Sequence, residues 1–97
     1  MVDPNTMQNV AEQSANRLKA TKANIEADVT TFGKQILDVT LTHEQLVAQL
    51  NRLERRMLYR LENINLISAD KQDFQEFVNM KQAICSAFRQ YLSDHKL

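Results

Sequence analysis

Four residues in the middle of the chain have the types and spacing to touch a polyanion. Arg52, Arg55, Arg56 and Tyr59 fall within roughly a third of a helix circumference. Guanidinium groups on such a stripe can contact phosphates while the phenol stacks on a base. The same stripe also suits an acidic protein surface, and a solvated helix face is its plainest account. The charge total weighs against the polyanion. Twelve basic and twelve acidic residues leave no net charge at pH 7, whereas nucleic-acid and membrane-surface proteins usually carry a basic excess.

Enzymatic chemistry has little to stand on. Cys85 sits in an apolar run, where a thiol behaves as a small hydrophobe. His43 and His95 are isolated, and no Cys/His spacing matches a metal site. Ser14, Ser68, Ser86 and Ser93 lack any context that would activate them, and no Gly-rich loop or nucleophile elbow is present. With one glycine in 97 residues, there is also little irregular backbone from which to build a substrate cradle. The expectation is a protein without catalysis, cofactor or metal.

The elements that carry these residues follow from apolar spacing. From Leu46 to Ile67, apolar side chains fall at Leu46, Leu50, Leu53, Met57, Ile64 and Ile67, alternating steps of four and three. That is the seam of a heptad helix, which needs other helices to bury it. The register extends from Ala11 to Leu92, interrupted only at Lys22, His43, Arg60, Lys71 and Lys81. Asp3-Pro4 is a helix-start signal. Thr42 with Gln45 forms a capping box, flanked by Leu41 and Leu46 as a hydrophobic staple. Asn63, Asn65 and Ser68 weaken the helix before Asp70, which can cap the next one. Gly33 is a candidate kink, costing roughly 1 kcal/mol against alanine, and His95-Lys96-Leu97 should fray.

These signals predict an all-α domain over 1–97, with helices near 4–40, 42–67 and 70–94 in an antiparallel, coiled-coil-like bundle. One long continuous helix is the alternative that the shared register admits. Helix one would span ~54 Å against ~38 Å for the others, so its end overhangs and should seek another chain. Its early seam residues, Ala11 and Ala15, bury little area and should hold weakly.

Two further groups matter for contact. Arg60, a polar residue on the seam of the central helix, is expected to fix register or to pair with Asp73 or Glu76 on the third helix. Phe74, Phe77, Phe88 and Tyr91, with Ile84 among them, make the third helix's apolar face wider than one neighbour can cover. The face reads first as bundle core and then as a partner interface, since aromatics commonly anchor interfaces.

The functional expectation is a non-enzymatic interaction module, a scaffold, adaptor or small subunit, associating with itself or with another helical protein. A nucleic-acid-binding regulator using the Arg52–Arg60 stripe is the competing class. No apolar run reaches membrane-spanning length and no signal peptide is apparent. The single cysteine fits a reducing compartment, so an intracellular, cytoplasmic setting is expected.

Overall fold

The computed structural model describes residues 4–95, with side chains from residue 8 onward. The expected Asp3 cap and the fraying of Lys96 and Leu97 lie outside the described residues. Three helices form: α1 (Pro4–Gln35), α2 (His43–Asn63) and α3 (Ser68–Asp94). All three pack against one another, so the single continuous helix is excluded. Cross-helix pairs fix the directions. Arg17 meets Asn65 and Asp28 meets Arg56, so α1 and α2 run antiparallel; Lys22 meets Asp73 and Glu26 meets Lys81, so α1 and α3 run parallel, and α2 is antiparallel to both.

Most of the heptad seam from Leu18 onward becomes the core, whereas Ala11 and Ala15, expected on the seam, are exposed and Ser14 is buried in their stead. Leu18, Ile25, Val29 and Phe32 of α1 meet Leu46, Leu50, Leu53 and Met57 of α2 and Phe74, Val78, Cys85 and Leu92 of α3. The capping box of α2 forms in both halves. The Gln45 N–H donates to Thr42 Oγ1 at 3.1 Å, and the Thr42 N–H donates to Gln45 Oε1 at 2.9 Å. Leu41 and Leu46 both join the core cluster, as a staple requires.

The helix ends differ from expectation in three places. α1 stops at Gln35 rather than near residue 40, and Val39, assigned to the seam, is 97% exposed. The Asp38 carboxylate accepts from both the N–H and the hydroxyl of Thr40 (2.9 and 2.7 Å). Such a local side-chain bond competes with helix continuation. α2 ends at Asn63 rather than Ile67, where the Asn63 side-chain amide donates to the Tyr59 carbonyl at 2.8 Å. Residues 64–67 lie outside helix, with Leu66 turned into the core.

α3 then starts at Ser68 with Ile67 as its N-cap, so Asp70 does not cap it. Ser14 of α1, 2% exposed, takes over that end of the helix. Its hydroxyl accepts from the Ile67 N–H at 2.9 Å and donates to Asp70 Oδ2 at 2.7 Å. Ser14→Ala would strand both groups in a half-buried site and is expected to cost roughly 2 kcal/mol, read as a lower urea midpoint. Restored stability in Ser14→Ala combined with Asp70→Ala would tie the loss to this bridge.

The overhang of α1 is present. Ser14 is level with the 64–67 turn, so residues 4–13 project ~15 Å beyond it, and the side chains of residues 8–13 are all exposed. At the other end, α1 runs through Gly33 to Gln35 without interruption. The glycine lies under the Phe88 ring, and an added Cβ would sit 3.5 Å from it, an ordinary contact. Gly33→Ala therefore removes a helix penalty without a clash. It is expected to raise stability by about 1 kcal/mol and the melting temperature by ~4–8 °C; a lowered melting temperature would mean that Phe88 cannot tolerate the methyl.

His95, expected to fray, is held: its N–H donates to the Tyr91 carbonyl at 3.0 Å and its ring stacks on Tyr91 at 4.0 Å.

Candidate interaction surfaces

The basic stripe of α2 is divided by its packing. Arg52 and Arg56 line a groove of about 270 Å³ between α1 and α2, floored by Phe32 and Leu53 and edged by Thr31, Gln35 and Gln49. Asp28 shares this groove and lies 3.7 Å from the Arg56 guanidinium. Arg55 is exposed outside it. Tyr59, 67% exposed, borders a separate hollow with Thr21, Arg60 and Asn63. The structure thus joins two of the four residues and places an acidic group beside them.

Arg60 does not pair with Asp73 or Glu76; among the described residues no carboxylate lies within ion-pair distance of it. Its hollow borders α1 at Thr21. Asp73 is instead taken by Lys22, at 3.0 Å. The polar residues that join α1 to α3 are Ser14, which lies off the heptad register, and the seam lysines Lys22 and Lys81, whose stems can cross an apolar seam. Lys81 is 8% exposed and its ammonium lies 3.1 Å from Glu26. Lys22 and Lys81 both lie over the Phe77 ring, at 5.5 and 5.3 Å from its centroid, a favourable placement for a cation.

The wide aromatic face of α3 is covered largely from within the chain. Phe74 is fully buried, which removes it from any outward surface. Phe77 and Ile84 are half-buried, and Phe88 meets Phe32 edge to face at 5.1 Å. Tyr91, at 39%, keeps a substantial exposed area. α1 and α2 together supply the cover that the width demanded.

The most exposed large apolar side chains among the described residues are not marked as surface by the periodicity. In the turn between α1 and α2, Leu37 and Val39 stand 72% and 97% exposed. They edge a cleft of about 570 Å³ whose walls include Ile36, Leu41, Leu46, Tyr91, Leu92 and His95. The turn is ordered by the Asp38–Thr40 bonds, which hold the Asp38 carboxyl below its ordinary value. The sequence signal was Asp38 two positions before Thr40, an Asx-type turn. Heptad counting passes over it, because Val39 is in phase with the seam.

Among the described residues no group of His, Cys, Asp and Glu is arranged to hold a metal ion, and no helix is long and apolar enough to cross a membrane. Comparison with protein-family models, curated proteins and solved structures finds no match, which leaves surface chemistry as the guide to function.

Proposed function

We propose that this chain is a non-enzymatic protein–protein interaction module, a scaffold, adaptor or small subunit, that engages a helical segment at the α1–α2 turn. The observation that carries this reading is the exposure of Leu37 and Val39 on an ordered turn beside an apolar cleft. Large aliphatic groups held in water are costly unless something covers them. The buried, unpaired Cys85 fits a reducing, cytoplasmic setting.

The test replaces Leu37 and Val39 together by Glu. Association, followed by sedimentation of the purified chain and by capture of helical partners, should weaken at least about tenfold with the circular dichroism spectrum unchanged. Equal association of variant and wild type would sink the reading. The competing nucleic-acid reading draws on Arg52, which has no carboxylate partner among the described residues. It requires binding that falls steeply with salt and is lost in Arg52→Glu/Arg56→Glu. Asp28 beside Arg56 disfavours it.

A further inference from the structure

The two turns that close the bundle are built differently. The 64–67 turn is tied to α1 by Ser14 and by the Arg17 guanidinium, which donates to the Asn65 carbonyl at 3.2 Å, and Leu66 pins it to the core. The 36–42 turn is held by bonds that begin and end nearby in sequence: Asp38 with Thr40, and Thr42 with Gln45. Among the described residues no side-chain hydrogen bond reaches it from α1 or α3.

That turn is also one heptad long. Phe32, Ile36, Val39, His43 and Leu46 keep the three-four alternation through it, so a helix running across would carry one register from α1 into α2, apolar except at His43. The turn contains neither glycine nor proline, and no described residue has positive φ. Its backbone can become helical; the local polar side-chain bonds and the packing of Ile36 and Leu41 on the core are what oppose this.

We propose that a second copy of this chain covers the exposed Leu37 and Val39, and that it does so by helix exchange. Residues 36–42 straighten, α1 and α2 fuse into one helix of ~90 Å, and each α1 packs on the α2–α3 hairpin of the other copy. Every contact that α1 makes in the closed chain is re-formed between chains, so the exchange forfeits none of them. What changes is the hinge. Straightening dissolves the turn-end cleft, which residues 36–42 largely wall, and the two hinges cross at the dyad, where Leu37 and Val39 of each copy face those of the other. Apolar surface that the closed chain leaves in water is then covered. Zero net charge gives no long-range repulsion between copies. The inference rests on the turn as the contact site and names its occupant.

Zero-length carbodiimide coupling tests this, because Lys81 and Glu26 lie 3.1 Å apart across the α1–α3 seam. Isotopically light and heavy wild-type chains are mixed unfolded in equal amounts, refolded at high concentration, coupled and separated by size. Exchange predicts a dimer in which about half of the Lys81–Glu26 linked peptides join a light to a heavy chain, as random pairing requires. A dimer whose linked peptides are all light–light or heavy–heavy overturns the exchange, as does a chain that stays monomeric at its solubility limit. Val39→Pro should abolish the dimer while keeping the helical spectrum, and Asp38→Ala/Thr40→Ala should enrich it. A monomeric wild type that still captures other helical proteins through Leu37 and Val39 ends the exchange and leaves the interaction module standing.

Discussion

Phe74→Ala is expected to lower the free energy of unfolding by about 3–5 kcal/mol, the usual cost of deleting a buried phenyl ring without full collapse of the space. Phe74 has no exposed area, and Leu50, Met57 and Val78, comparably buried, belong to the same core. The chain is small, so a loss of this size takes up much of a stability that for domains generally is only about 5–15 kcal/mol. Urea titration followed by circular dichroism measures it directly. Tyr91→Ala provides the contrast: its ring is 39% exposed and stacks on His95, so the loss should stay within about 1 kcal/mol. If instead Phe74→Ala leaves the urea midpoint unchanged and weakens association, Phe74 belongs to a partner-facing surface after all.

A stability loss of nearly the same size is expected above pH 9 and traces to Cys85. Burial, with a smaller contribution from the Glu54 carboxylate, pushes its thiol up to about 11 from 9.0; Arg89 and Lys81 pull the other way without overcoming this. In the unfolded chain the thiol ionises at the lower value. Between the two values the folded state keeps a proton that the unfolded state has released, so unfolding gains as pH rises. The contribution is fully favourable to the fold below pH 9, declines from 9 towards 11, and amounts to about 3 kcal/mol once both states are ionised. The informative quantity is the difference between wild type and Cys85→Ala. The variant should be less stable at neutral pH through its cavity, yet lose about 3 kcal/mol less than wild type on raising the pH. Parallel pH profiles for the two proteins would show that Cys85 does not titrate with folding. In native protein the thiol should also react with disulfide reagents only as fast as the bundle opens.

The seam of this bundle is legible in the sequence because one physical requirement, burying a stripe at helical period, acts on nearly every fourth or third residue. Leu46, Leu50, Leu53 and Met57 are all buried, and the Thr42–Gln45 box fixes the start of α2 at the expected place. What escapes the sequence are places where two local preferences compete. Val39 has the right phase but loses to the Asp38–Thr40 bonds. Asp70 has the right type for a cap, but Ser14, 56 residues away in sequence, draws its carboxylate to another use. Arg60 and Lys22 are both polar seam residues, and only the arrangement of three helices decides that Lys22 reaches Asp73. The candidate contact site belongs to this second group. Its exposure depends on where α1 stops, which periodicity alone extends too far.

The polar seam between α1 and α3 also bears on the order in which the molecule assembles. Its contacts, Ser14 with Asp70, Lys22 with Asp73 and Glu26 with Lys81, each close a loop of more than fifty residues, whereas the α2–α3 turn spans only residues 64–67. Closing long loops costs more chain entropy than closing short ones, and the α1–α2 turn is also short, so the α1–α3 seam should be the last to close. Mutations at Lys22 or Glu26 should then speed unfolding and leave the folding rate nearly unchanged, whereas truncations at Leu53 or Val78 slow folding. The pattern gives the late-closing seam selectivity: charges that match only in the parallel orientation hold it in one register once the apolar hairpins are waiting.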